Sequence, residues 1–310
     1  MFKLPALPSP RADVHELADF AELLAWQNDS VAAREILAYL GRAGDNEYNE
    51  GVDDEDDINA AALDDVMIEI DRRSKSCVGG YPFSLDLKGT VLRHDPNDDS
   101  ERAAVYRYLL LSTRLNMTAD KVQADIDGTA LLEEISATVL RCYLGYDRAQ
   151  SVVFGTAIGG TFRDKVDALC DALGEGGGFE ALDPGPVNAN DDRLDSVAWI
   201  PFTDARGGKL ILFCQCKTGS SWKEHTTQLQ PDAFIKRWMR HRTFLVVPVR
   251  AFCVSESTNP SDWGGLVSYA GLLFDRLRLV DFLDCIEPNL IARIRTWNAA
   301  AVAVATGAMG

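Results

Sequence analysis

Lys209-Leu210-Ile211-Leu212-Phe213-Cys214-Gln215-Cys216-Lys217 is the stretch whose reading decides the fold. An apolar run of this length, entered from the glycine-bearing turn Asp204 to Gly208, reads as a β-strand. A strand sends alternate side chains to opposite faces. Gln215 and Lys217 therefore share one face, and Leu212, Cys214 and Cys216 take the other. Two polar side chains leaving the end of an apolar strand together need a chemical reason, because a buried lysine is costly unless it is paired or used. Asp195 heads the preceding strand, Asp195–Phe202, so an acid and a Gln-x-Lys pair flank one turn.

Outward from this hairpin the elements alternate between helix and strand. Leu131 to Leu144 has helical spacing and ends at Gly145, and Val152–Phe154 is a short strand. Thr161–Leu173 is a helix with Phe162, Val166, Leu169, Cys170 and Leu173 on one side, broken by Gly174 and Gly176–Gly178. Phe179–Leu182 reads as a short strand. A helix follows the hairpin, with Leu229, Phe234, Ile235, Trp238 and Met239. Phe244–Phe252 is apolar enough to be a central strand. Helices are expected at 264–282 and 287–299, with a frayed tail from Ala299 to Gly310.

The amino-terminal third has a different texture. Leu17, Phe20, Leu23, Leu24 and Trp26 mark one helix, Ala33, Ile36, Leu37 and Leu40 a second, residues 60–76 a third, and Ala103 to Leu115 a fourth. Tyr81–Arg93 alternates as a strand or hairpin. The acidic run at 45–57 reads as a solvated loop or helix start, with a DNA-mimicking segment as the alternative. Residues 1–125 are thus expected to form a mainly helical accessory or partner domain, and 126–310 an α/β domain with a mixed sheet core flanked by helices.

Composition excludes several classes. The chain is 46% apolar and 25% charged, the balance of a globular protein. No apolar run reaches the length of a membrane span, and the start, Met1 to Pro10, lacks the apolar core of a signal peptide. A cytoplasmic location is expected. The seven cysteines are scattered through apolar segments, which suits buried free thiols. Cys214 and Cys216 have no second pair and no nearby histidine, so structural zinc is not expected. Net charge is −16, but Arg206 to Arg250 holds nine Lys/Arg against two acids, a local +7 that leaves −23 on the remainder. A basic patch on an acidic body suits a nucleic-acid enzyme whose access is controlled. Ordinary solvated helix charges are the plainer explanation for Lys236, Arg237, Arg240 and Arg242.

The order helix, strand, strand, strand, helix, strand over 126–252, with an acid in the first helix, Asp195 on one strand and Gln215-Cys216-Lys217 on the next, resembles the PD-(D/E)xK nuclease superfamily. The resemblance is to the variant whose last motif is QxK, found in Mrr-type restriction endonucleases and in nucleases of bacterial antiphage systems. It covers roughly 40% of the chain. The sequence departs from that pattern at Arg193-Leu194-Asp195-Ser196-Val197, where the related enzymes surround the aspartate with glycines.

The resemblance implies a restriction-endonuclease-like core and Mg²⁺- or Mn²⁺-dependent hydrolysis of DNA phosphodiesters. Asp195, Gln215 and the Cys216 backbone carbonyl would be the metal ligands, and Lys217 would position or deprotonate the attacking water. An amide is a weaker ligand than a carboxylate, so an acid from the first helix gains importance. Glu133, in Leu132-Glu133-Glu134-Ile135, matches the family position best. Glu134 is its close rival, and Asp164 is the choice if the second helix is the true first core helix. Lys223 and His225, after the catalytic strand, and Lys236 and Arg240 on the next helix are the candidate nucleic-acid contacts. Ser220 and Ser221 read as helix caps. Gly155 to Thr161 lacks the lysine of a phosphate-binding loop and reads as a tight turn. Trp199, Trp222, Trp238 and Trp263 read as core.

The expected setting is antiphage defence in a prokaryote. A regulatory ATPase or helicase-type partner, or homo-oligomerisation, would deliver an acidic nuclease to DNA. The alternative from a different class is a catalytically inactive nuclease-fold scaffold or interaction subunit of a defence complex, which the glutamine in place of a glutamate makes credible. RNA instead of DNA as substrate is open on these residues.

Overall fold

The computed structural model describes residues 2–9, 11–44, 54–77, 79–155, 159–183 and 192–309. The amino-terminal part runs through α1 (Val14–Asn28), β1 (Ser30–Ala32), α2 (Ala33–Gly44), α3 (Asp54–Ser76), β2 (Phe83–Asp86), β3 (Val91–His94) and α4 (Glu101–Arg114). A small ladder, β4 (Val122–Gln123) and β5 (Ile126–Asp127), leads into α5 (Gly128–Tyr143), β6 (Gln150–Val153) and α6 (Phe162–Leu173). The central hairpin is β7 (Ser196–Trp199) and β8 (Ile211–Lys217), followed by α7 (Pro231–Trp238) and β9 (Val249–Val254). The chain closes with α8 (Trp263–Ala270), β10 (Leu272–Phe274), α9 (Arg276–Asp281) and α10 (Pro288–Met309).

The apolar alternation of 209–217 makes β8 the middle of a five-stranded mixed sheet of order β10-β9-β8-β7-β6. β6, β7 and β8 are antiparallel neighbours, while β8, β9 and β10 run parallel. Ala198, Leu212, Cys214, Cys216, Ala251 and Cys253 enter one core together with α5 residues Leu131, Ile135 and Val139. Val197, Trp199, Ile211 and Phe213 enter the opposite core with Phe162, Val166 and Leu169 of α6 and Phe234 and Ile235 of α7. Helices on both faces make this a three-layer mixed α/β architecture. The period-2 assignment of β8 therefore holds residue by residue.

The first of these cores does not stop at residue 125. Phe20 and Leu24 of α1 and Leu109 of α4 belong to the same apolar cluster as Leu212, Ala251 and Trp297. A buried ion network reinforces the junction. Asp19 of α1 accepts from Arg73 of α3 at 2.6 Å, from Arg114 of α4 at 2.7 Å and from Arg276 of α9 at 2.7 Å. Arg73 also bonds Glu22 at 2.9 Å and Glu69 at 2.8 Å. Burial alone would raise the Asp19 carboxyl, but the three guanidiniums outweigh it and hold the group well below the carboxylate range.

Several expectations need correction. Ser30, a candidate cap for the second helix, instead opens Ser30–Ala32, which pairs antiparallel with Val91–Arg93 in a sheet of order β1-β3-β2. Phe179–Leu182 is not a strand but contributes a single bridge, Phe179 to Met239. β9 starts at Val249, five residues later than expected. Pro248 has no N–H to donate, and the Leu245 N–H is taken by Glu175 Oε2 at 3.0 Å. Leu245 is consequently 78% exposed. The single helix expected over 264–282 is α8, β10 and α9. Gly271, at φ 78°, closes α8, Leu272–Phe274 then pairs with Ala251–Cys253, and the Asp275 carboxylate caps α9 by accepting from Arg278 N at 3.2 Å. The tail expected to fray continues as α10, with Ala301 and Ala305 buried. Residues 45–53 of the acidic run lie outside the described residues.

Candidate metal centre at the carboxyl end of the sheet

β8 ends at Lys217, and β7 begins opposite it. The register pairs Ser196 with Cys214, and Asp195, just ahead of β7, lies against the same residue. Asp195 ties three strands together. Its N–H donates to Cys214 O at 2.9 Å, and its carbonyl accepts from Phe154 and Gly155, just past β6, at 2.8 and 3.0 Å. Its Oδ2 accepts from Cys216 N at 2.6 Å. A residue's N–H and C=O leave a strand on the same side, so the Cys216 carbonyl is also directed toward Asp195.

Gln215 is fully buried. Its Nε2 donates to Gln228 Oε1 at 3.2 Å, and the Gln228 amide contacts His225 Nδ1 at 2.7 Å. Its Oε1 has no hydrogen-bond partner among the described residues. A buried amide oxygen left unpaired costs about 1–3 kcal/mol, and it is the atom that would face a cation. Lys217 is half-buried, and its ammonium has neither hydrogen bond nor ion pair with a described residue. Its carbonyl is held by Ser255 N at 3.3 Å.

The three acids weighed for the first helix now separate. Glu133 of α5 is 6% exposed, and its carboxylate lies directly over Gly155. A Cβ built on that glycine would stand 2.5 Å from Glu133 Oε2. Because Gly155 N bonds Asp195 O, Glu133 and Asp195 meet across this one residue. Glu134 points elsewhere and is bound by Arg293 of α10, one bond being 2.9 Å. Asp164 is exposed and completes a capping box with Thr161 at the start of α6. Lys165 of α6 and Gln228 were missed by sequence reasoning. Lys165 Nζ donates to Gly155 O at 2.6 Å. Nothing in the local pattern marks either residue, because each is one polar position among many.

The donor set is all oxygen: two carboxylates, an amide and a carbonyl. Hard oxygen donors suit Mg²⁺ or Mn²⁺, and the unpaired Gln215 oxygen is what such an ion would satisfy. Elsewhere, Asp13, His15 and Glu16 bring one ligand atom each within 4.8 Å of one another. That group opens α1, with the Arg114 guanidinium 4.0 Å from Glu16, and a neighbouring cation opposes a metal there.

The expected nucleic-acid contacts divide. Lys223 pairs with Asp262 at 3.4 Å, Arg240 with Glu180 at 3.5 Å, and His225 is engaged by Gln228. Lys236 is exposed, and its ammonium pairs with no described residue. The local +7 along the sequence is not a +7 surface. Arg206, Arg237 and Arg242 meet Asp204, Asp192 and Glu180 at 2.7, 2.7 and 3.0 Å. Lys209 is buried with its Nζ on Leu173 O at 2.6 Å.

Comparison with family models, with curated proteins and with solved structures finds no match for this chain.

Proposed function

We propose that this protein is a metal-dependent nuclease with a restriction-endonuclease-like core, hydrolysing DNA phosphodiesters at the Asp195–Gln215–Lys217 centre. The observation that carries the reading is the buried, unpaired Oε1 of Gln215, next in the chain to the Cys216 N–H that Asp195 binds, with the unpaired ammonium of Lys217 two residues on. The order α5, β6, β7, β8, α7, β9 supports it, with α6 inserted between β6 and β7. A bound Mg²⁺ or Mn²⁺ would supply neutralisation of phosphate charge and an acidified water. Asp195, Glu133, Gln215 and the Cys216 carbonyl would hold that ion. Lys217 orients the attacking water and stabilises the charge that develops on the phosphate. Gln228 fixes the Gln215 amide so that its oxygen faces the site.

The test is cleavage of supercoiled and linear DNA with Mg²⁺ or Mn²⁺, comparing wild type with Lys217→Ala. Cleavage that disappears in the variant and in EDTA supports the reading. Cleavage that survives Lys217→Ala sinks it. Antiphage defence as the setting, and a regulatory partner or homo-oligomer as the means of reaching DNA, belong to the same proposal. They are motivated by the −23 outside the basic segment, and undiminished cleavage by the isolated monomer would count against the partner.

One observation favours the second reading, an inactive scaffold. Gln215 is 0%, Glu133 6% and Asp195 8% exposed, a tight site for a polymer substrate. A Mg²⁺ or Mn²⁺ titration separates the two, since a scaffold has no need to bind an ion there.

A further inference from the structure

β8, β9 and β10 run parallel, so Lys217, the segment after Val254 and the segment after Phe274 all emerge at one edge of the sheet. In open α/β sheets this carboxyl edge is where ligands bind. Beyond the ends of β9 and β10 it carries a cavity of about 550 Å³, whose lining includes Arg72, Ser76, Thr258, Trp263, Arg278 and Asp281. The volume lies in the range of ligand sites. Neighbouring strands are about 4.8 Å apart, which puts the end of β10 roughly 10 Å from the end of β8. Lys223, six residues after Lys217, pairs with Asp262, the neighbour in sequence of the cavity residue Trp263.

The polar groups of this cavity are preset. The Arg278 guanidinium lies 4.2 Å over the Trp263 ring, its Nη1 donates to Leu273 O at 3.1 Å, and it has no acidic partner among the described residues. Arg72 is clamped by Glu69 through Nε and Nη2 at 2.7 and 2.8 Å, and its Nη1 makes no bond to a described residue. Asp275 also borders the space, but its carboxylate is spent on Thr258 and on the Arg278 N–H. Asp281, the second acid of the lining, is exposed and carries an opposing charge at the rim. Gly264 and Gly265 follow Trp263 in α8, and a Cβ on either would meet nothing within 4 Å. Each costs helix stability that packing does not require, and together they leave a smooth surface beside the indole.

We propose that this cavity receives one nucleotide of the DNA strand that passes the Asp195–Gln215 centre, with its phosphate on Arg278 and Arg72 and its base against the Trp263–Arg278 stack. The proposal rests on the nuclease reading and extends it, giving the strand a path along Lys217, Lys223 and Arg278. A guanidinium over an aromatic ring offers donors to a phosphate and, together with the ring, a surface for a base.

The test is DNA binding by the full chain, followed by fluorescence anisotropy over a range of salt with Ca²⁺ replacing Mg²⁺, alongside the cleavage assay. Arg278→Ala should weaken binding several-fold and lower the salt slope by about one. Arg278→Lys, which keeps the charge, should restore the slope and controls for folding. Asp281→Asn should tighten binding, an opposite sign that a merely structural role does not produce. Binding and cleavage by wild type with all three variants unchanged would overturn the cavity and leave the nuclease intact. Arg278-dependent binding without Lys217-dependent cleavage would keep the cavity and remove the nuclease. A deoxynucleoside monophosphate added alone reads the other source of this chemistry. If it saturates the cavity while DNA binding ignores Arg278, the ligand is a free nucleotide and the strand path is wrong.

Discussion

At the residue scale, the candidate centre turns on two positions, Gln215 and Gly155. Gln215→Glu would place a second carboxylate in a fully buried position on the strand that Asp195 bonds through Cys214 and Cys216. Burial and the like charge both disfavour its ionised form, so the variant without metal should lose about 1–3 kcal/mol of stability. Mg²⁺ should return that loss, and the thermal midpoint of the variant should rise with Mg²⁺ by more than that of wild type. A midpoint that ignores Mg²⁺ would show that no cation is held there. Gly155 has no left-handed φ, so the backbone does not demand a glycine. What demands it is the Glu133 carboxylate, 2.5 Å from where a Cβ would be. Gly155→Ala should cost about 1–3 kcal/mol by overpacking and weaken metal binding by displacing Glu133. In a Glu133→Ala background the same change should be nearly free, which a double-mutant cycle measures directly. Equal costs in both backgrounds would place the clash elsewhere.

At the element scale, the sheet centre was legible and its parallel edge was not. β8 declared itself through period-2 alternation, and α6 through its apolar stripe and its Thr161 start. Asp195, Gln215 and Lys217 were legible for the same reason, being polar where the pattern called for apolar. β10 was hidden because Leu272-Leu273-Phe274 is only three residues long and its neighbours have helical spacing. Its existence depends on a turn, not on a period. Gly271 adopts φ 78°, and a Cβ there would stand 2.5 Å from Arg250 O, a backbone atom that cannot step aside. Gly271→Ala should therefore cost about 2–3 kcal/mol, read as a lower urea midpoint with an unchanged slope. A neutral result would mean that α8 and β10 can be joined another way. Phe244–Val247 misled in the opposite direction. Its β-branched and aromatic residues fit a strand, yet the Leu245 N–H is committed to Glu175 and Pro248 has none to give.

At the scale of the whole molecule, the helical part and the sheet are joined through charge as well as through apolar packing. Glu256, just past β9, is where the two meet. Its Oε2 accepts from Trp222 Nε1 at 2.7 Å, in the segment after Lys217, while His15 of α1 and Arg114 of α4 stand 3.8 and 3.7 Å from its Oε1. Burial pushes the Glu256 carboxyl from 4.5 up to about 7, against the pull of Arg114. The folded chain then binds more protons than the unfolded one between pH 4.5 and 7, so this group's contribution to stability falls as pH rises through that window. Its full extent is about 3 kcal/mol. Burial takes His15 the other way, from 6.5 to about 4. Its contribution is present above pH 6.5 and is lost as pH falls toward 4, and His94, lowered to about 4 also mainly by burial, adds in the same sense. The two histidines mask Glu256 in the pH profile of the wild type over most of its range, so the variant, not the profile, isolates it. Glu256→Gln keeps an oxygen for Trp222 and leaves Arg114 its 2.7 Å bond to Asp19. The stability of Glu256→Gln minus that of wild type should increase by about 3 kcal/mol from pH 4.5 to 7, measured by urea unfolding at several pH values. A difference that stays flat with pH would mean that Glu256 titrates as it does in the unfolded chain, and that the junction between helices and sheet holds no proton.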